Sequence, residues 1–563
     1  MNSEIKLLSD EWVYNGEDLN SYMKSLASND SSITGIVLDL SNSGLNTDTI
    51  YYKIVIPNNI IYFKVIGKNT SDEVKNIYAA LVSEGGGLGS FNCEIENLGL
   101  SATDPVDDYE GVFIDIASNI SYNELLEDGN TLKFIGNNSI LASRTGADMK
   151  EAIYNSAIHV GEGKKLSIYF EGDDTKLVCH QSKEPCRDLK TGEVEFFGAS
   201  GIGGNNEESA GNIIMYTAGD IKVKGGYNSA GIGGGKNGSG GIINISGTGN
   251  ITVIGGTYGA GIGGGLNGSS GNIGINTYAN MKVYAGEGAA GIGSGFMGTT
   301  DVIGINAMND LTVTGGDEGA GIGSGSNGKE GMILIKVGSK LKSIGGLNSA
   351  GIGGGYNVSG GNIEISGEGE LISEGGANGA GIGGGLNGNS GNIEISGKVN
   401  IGARGGINAS AIGAGANGEC EDIKIIGSGE ISSNAGEINT DDIGSKDSQI
   451  SNKNRVIVSS SISLTENKNK PKVNQTKIKT KNKNTNEDYV GELLLVLKDK
   501  KKNKSFITNT DDLGNLYMYA DNHFVDILTS DGKFVARNID LSKENFEIVL
   551  EPNIKYRGIN IFR

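Results

Sequence analysis

Apolar residues recur in this chain every thirty positions. Isoleucine stands at Ile202, Ile232, Ile262, Ile292, Ile322, Ile352, Ile382 and Ile412. A second column holds Ile213, Ile243, Ile273, Ile303, Ile333, Ile363, Ile393 and Ile423, and two residues further on lie Met215, Ile245, Ile275, Ile305, Ile335, Ile365, Ile395 and Ile425. A third stretch supplies Ile221, Ile251, Met281, Leu311, Leu341, Leu371, Ile401 and Ile431. Gly, Asn and Ser, which favour turns and strand ends, separate the stretches. A spacing of two puts residues on one face of a strand, and a spacing of thirty stacks them on successive coils. The pattern predicts an all-β chain: a parallel β-helix, or β-solenoid, with three short strands per 30-residue coil and isoleucine ladders filling a narrow interior. Each buried side chain in such a ladder contributes roughly 1.5 to 3 kcal/mol.

The consensus GIGGGxNGxxGNIxIxGxGxIxVxGGxxxA repeats eight times without insertion over 201–440, a period that signals solenoids, propellers or arrays. Gly226, Gly256, Gly286, Gly316, Gly346, Gly376, Gly406 and Gly436, with the alanines from Ala230 to Ala380, mark a corner that excludes bulk or needs positive φ. Asn237, Asn267, Asn327, Asn357, Asn387 and Asn417 fit a ladder of stacked amides at another turn. The 94 glycines, about 17% of 563 residues, leave no room for helices of ordinary length there, and only 5 prolines argue against collagen.

Flanking the regular coils, alternating runs at 54–67, 91–100, 130–143 and 165–179 predict less regular coils over 51–200. The polar stretch 1–50 reads as a cap for the first coil or as an attachment segment. Residues 446–487 are rich in Asn, Lys, Ser and Thr, with seven lysines from Lys468 to Lys483, and read as a solvated linker or a polyanion-binding tether. The segment 488–563 alternates apolar and polar residues around DDLGN, DN and DG turns, as a small antiparallel β-sandwich would. Any assembly is expected through the N-terminal segment or this C-terminal domain.

The AGIGGG and GNIxIxG units resemble the glycine-rich repeats of right-handed parallel β-helices in large surface proteins of Gram-positive anaerobes, within the broader pectin-lyase-like superfamily. That resemblance implies a rod used for display, adhesion or glycan contact. The C-terminal segment, through TNTDDLGNLYMYADNHFVDI, resembles transthyretin-like β-sandwiches appended to bacterial surface proteins.

Chemistry is sparse. A net charge of −20 disfavours nucleic acid as a partner. No segment approaches a membrane span, and the acidic start lacks the basic and apolar parts of a secretory signal, so a surface location would need a non-classical route, with the cytoplasm as the other expectation. Four cysteines are too few for a disulfide framework. His159, His180 and His523 lie in no known catalytic motif. The cluster CHQSKEPC, with Cys179, His180 and Cys186, reads as a plain loop, a disulfide or redox pair, or an incomplete metal site, since a closed zinc site needs four ligands. Asp107, Asp108 and Glu110, or Asp173 and Asp174, could form a site in the irregular coils. The outward column Ile214, Asn244, Gly274, Gly304, Leu334, Glu364, Glu394 and Lys424 offers no carboxylate row, and Glu364 with Glu394 reads as solvated surface. No catalytic, cofactor-binding or metal residue is therefore assigned. The expectation is a non-enzymatic scaffold contacting a glycan or surface protein; a polysaccharide-degrading β-helix enzyme and a phage-type tail or receptor-binding component are the alternatives.

Overall fold

A computed structural model gives the architecture. It describes residues 198–427 without interruption, and otherwise 4–8, 16–29, 32–41, 52–70, 73, 76–77, 79–83, 91–101, 114–119, 130–142, 144–145, 153–181, 186–187, 194–195, 429–434, 443–444, 455–459, 463–466, 475–483, 492–497, 504–509, 515–519, 524–529, 534–540 and 546–552. The chain is a β-solenoid of about 11 turns. Each regular coil carries a strand of two residues (Ile292–Gly293), one of six (Val302–Ala307) and one of four or five (Leu311–Thr314), each paired in parallel with its counterpart thirty residues away.

The isoleucine columns face inward. Ile213, Ile243, Ile303 and Ile363 are fully buried, and the columns of Ile202, Ile245 and Ile251 are buried with them. A further inward column runs through Val223, Val253, Val283 and Val313 to Ser343 and Ser373. These serines donate to the carbonyls of Gly351 and Gly381 at 2.7 and 2.6 Å, which removes the cost of burying a hydroxyl.

Two glycine columns do different work. A Cβ on Gly256 would lie 1.6 Å from the carbonyl oxygen of Gly226, so there the backbones stack too closely for any side chain. Positive φ is needed elsewhere, in the column from Gly203 to Gly444, where it lies between 126° and 149°. The asparagine turn also forms as expected. Asn237, Asn267, Asn327, Asn357, Asn387 and Asn417 take φ from 54° to 65°, a region asparagine tolerates better than most residues. Their amides bond rung to rung at 2.7 to 3.0 Å, as in Asn267 to Asn237 and Asn387 to Asn357. Met297 occupies the one interior rung without an amide and breaks the ladder.

Earlier strands continue the same sheets. Asn130–Ala142 and Lys164–Gln181 each bend through two ladders, and Lys165 pairs with Asn212 to join the irregular coils to the regular ones. At the start, Glu4–Leu8 pairs with Ile33–Asp39. The helix Gly16–Asn29 buries Leu19, Met23 and Ala27 at intervals of four, one face of a helix. Asn20 Oδ1 accepts from the Val55 N–H at 2.9 Å and ties this helix to the first coils.

The segment expected as a linker, 446–487, carries strands where it is described. Arg455–Ser459 and Ser463–Glu466 extend the solenoid because Val456, Val458 and Leu464 stand in register with Ile423, Ile425 and Ile431. Gln475–Asn482 joins the C-terminal strands, antiparallel to Asn515–Tyr519 and parallel to Phe546–Pro552. Its polar composition hid three short apolar alternations. Lys481 and Lys483, from the lysine run, are paired with Glu547 and Glu551 at 3.1 and 2.8 Å. The C-terminal strands pair mainly antiparallel around buried Ile527, Leu528, Val535 and Leu550.

Candidate functional site

His159 was assigned to no motif by its sequence, yet it is the buried centre of a charge cluster whose two carboxylates are half-buried. It pairs with Gly203, so it stands in the column that regular coils fill with positive-φ glycine, and Asp115 lies one rung earlier beside Ile114. Glu208 Oε2 is 2.8 Å from its Nε2 and also accepts from the Asn205 N–H at 3.0 Å. Asp115 Oδ1 lies 3.4 Å from Nδ1, an ion-pair distance without a well-formed hydrogen bond, so Glu208 is the tighter partner. Burial opposes the imidazolium, but the two carboxylates outweigh it and lift His159 from 6.5 to about 9. Glu208 is held below its ordinary value because the His159 contact outweighs its own desolvation. A histidine charged at neutral pH is a poor general base. The cluster instead clamps the irregular coils onto the first regular one. The motif Asn155-Ser156-Ala157 before Ile158, similar to Asn228-Ser229-Ala230 two rungs on, where Gly231 intervenes before Ile232, was the one sequence signal of this position.

The clamp has a pH signature. The folded-state value of His159 exceeds its unfolded value, so its stabilisation is full below about pH 6.5 and fades as pH rises through about 9. Glu208 is depressed, so its share is present above its unfolded value and lost as pH falls through the lower folded one. Urea unfolding of the intact chain is expected to show a loss on the order of 3 kcal/mol between pH 6 and 9.5 that His159→Gln lacks. Parallel pH profiles for the two proteins would refute the clamp.

The cysteine cluster dissolves. Cys179 pairs with Val223 and occupies the same inward column, fully buried, with a free thiol whose Sγ reaches the Gly201 carbonyl at 3.4 Å. Burial pushes that thiol far up, away from thiolate chemistry. His180 points to the opposite face, as strand alternation requires, and its basicity is lowered by burial and by Lys224 and Lys222. Cys186 lies in a short hairpin, Cys186–Arg187 against Val194–Glu195, and its side chain is outside the described residues. The described groups thus do not assemble a metal site at this cluster, and among the described residues no group of three His, Cys, Asp or Glu side chains is placed to hold a metal ion. Asp173 and Asp174 are exposed beside the positive-φ Gly172. Asp107, Asp108, Glu110 and His523 lie outside the described residues.

The outward face of the six-residue strands carries the remaining chemistry. One column runs through Lys64, Glu94, Lys133, Tyr169, Tyr216, Ser246, Asn276, Asn306, Lys336 and Ser366. Its charged end is self-neutralised: Lys64 meets Glu96 at 2.6 Å and Glu94 at 3.7 Å, and Lys133 pairs with Glu94 and Glu171. Tyr169 and Tyr216 then stack, centroids 4.7 Å apart at 9°. In the neighbouring column Glu364 and Glu394 are adjacent as expected, and Glu394 is paired with Lys424 at 3.2 Å. Between the tyrosines and these carboxylates, Gly274 and Gly304 leave a groove of 490 Å³, bordered by Asn244, Ser246, Asn276, Asn306, Lys336 and Glu364. No helix among the described residues is long and apolar enough to cross a membrane. Compared with protein-family models, curated proteins and solved structures, the chain matches none.

Proposed function

We propose that this chain is a non-enzymatic rigid scaffold exposed on a bacterial cell, spore or particle surface, where its outward face contacts a glycan or another protein. The observation that supports this reading is the single unbroken register from Lys165 to Ile431: every inward position is spent on packing, and every outward position sits at a fixed height along the rod. Such a body holds contacting groups at set distances and bends little. The likeness of its repeats to glycine-rich surface β-helices, and of its C-terminal strands to transthyretin-like modules, points the same way. Assembly through the N-terminal segment or the C-terminal domain belongs to this proposal.

Immunogold electron microscopy of native material tests the location. Label over surface filaments, coats or spore layers supports display, whereas label confined to the cytoplasm overturns it. Incubation with polyuronates, mucin glycans and peptidoglycan is expected to release no new reducing ends. Release that Asp173→Asn abolishes would replace the scaffold with an enzyme and place its site at the exposed Gly172 corner.

A further inference from the structure

We infer that the groove over Gly274 and Gly304 binds an uncharged glycan chain lying along the rod. The inference rests on the scaffold reading above and narrows its partner to one class and one site. Four features of the groove converge.

The first is shape. Two successive rungs lack side chains in the column that runs from Asn244 to Glu364, so the sheet itself forms the floor. Rungs repeat about every 4.8 Å, close to the length of one pyranose unit in an extended chain, so successive rings of a linear saccharide meet successive rungs, crossing the bare floor at Gly274 and Gly304 beside Asn276 and Asn306 and ending against Leu334. The second is the end wall. Tyr169 covers one face of Tyr216, while the next residue in that column is the small Ser246. Tyr216 lies one rung outside the groove and is 44% exposed; its face away from Tyr169 looks along the column to Ser246 at the groove's edge, where the C–H face of a sugar ring can stack on it.

The third is polarity. Asn306 donates to Asn276 Oδ1 at 2.8 Å, but its own Oδ1 is buried with no hydrogen-bond partner. That oxygen lies beneath the groove surface, so a ligand hydroxyl pairs with it only as the amide swings outward, which relieves the cost of a buried acceptor left unpaired. The fourth is charge. Lys336 and Glu364 oppose each other in sign across the groove, and the remaining polar lining is amide and hydroxyl. In a chain of net charge −20 this favours hydroxyl-rich, uncharged ligands over polyanions.

Gly304 allows a test that separates binding from folding. Its φ is ordinary for a strand, and an added Cβ meets nothing closer than the Ile273 carbonyl oxygen at 3.8 Å. Gly304→Phe therefore fills the groove without straining the coil. Titration calorimetry on the full chain uses cellohexaose, chitohexaose and mannohexaose, with hexagalacturonate as the anionic counterpart. At least one neutral hexasaccharide is expected to bind, at least tenfold more tightly than hexagalacturonate. Gly304→Phe is expected to weaken it at least tenfold with unchanged melting temperature, and Tyr216→Ala to weaken it at least tenfold with a slightly lower one, since it also unstacks Tyr169. Neutral binding that survives Gly304→Phe refutes this groove while leaving glycan contact in place. Preference for hexagalacturonate refutes the ligand class. Binding of no saccharide by the unmodified chain refutes both this site and the glycan part of the scaffold reading.

Discussion

Replacing Ile303 by Asp is expected to remove several kcal/mol of stability. Ile303 is fully buried and sits in register between Ile273 and Ile333, with the apolar interior on one side and the next rung above and below. A carboxylate there has no partner, so the chain either buries an unpaired charge or takes up a proton to neutralise it. Coils of a solenoid contact only their neighbours, so the damage falls on two interfaces at once and divides the regular region into two blocks. Urea unfolding followed by circular dichroism is expected to show a lower midpoint and a broadened or biphasic transition. An unchanged curve would show that the thirty-residue coil is not the packing unit.

Gly323→Ala is the second large effect, and Gly304→Ala is its control. Gly323 has φ of +136°, and a Cβ there would lie 2.0 Å from the carbonyl oxygen of Gly353. Backbone strain and overpacking each cost about 1 to 3 kcal/mol, so the variant is expected to lose roughly 2 to 6 kcal/mol. Gly304, one rung earlier on a different face, carries neither burden, and alanine there is expected to be neutral or slightly stabilising, because glycine inside a strand costs roughly 0.5 to 1 kcal/mol. Equal melting temperatures for the two variants would contradict the division of labour among the glycines.

How much of this was legible in the sequence depended on how pure each column is. The isoleucine ladders announce themselves because one residue type fills every rung. The column of Val223, Val253, Val283, Val313, Ser343 and Ser373 is as deeply buried, yet its change from valine to serine conceals it, since only the structure shows the hydroxyls satisfied by backbone carbonyls. The same column explains Cys179, which the sequence placed in a cluster with His180 and Cys186 and the fold places in the core. Glycine was ambiguous for a similar reason: composition shows that side chains are missing, but close backbone approach at Gly256 and positive φ at Gly323 demand glycine through different physics. The His159 cluster was hidden because Glu208 is 49 residues away and the intervening coil departs from the repeat. The groove was hidden because Gly274 and Gly304 look like two more repeat glycines, although neither the space around Gly304 nor its φ requires one.

The equal length of the coils has an evolutionary consequence. Ile232 and Ile262 hold the same place in their ladders, as do Ile243 and Ile273, and so on around the coil. Unequal recombination between the similar coding segments for two coils would therefore delete or duplicate a whole rung and return every strand to a partner of the right kind. The reach of the rod changes in steps of about 4.8 Å without any new fold having to arise. A change of any other length has to be absorbed in a turn, as the longer steps from Leu166 to Ile213 and from Ile423 to Val456 are, or it sets apolar side chains out of register. Length in this molecule is thus an inherited, digital character, and descendants can adjust how far they extend before they change what they touch.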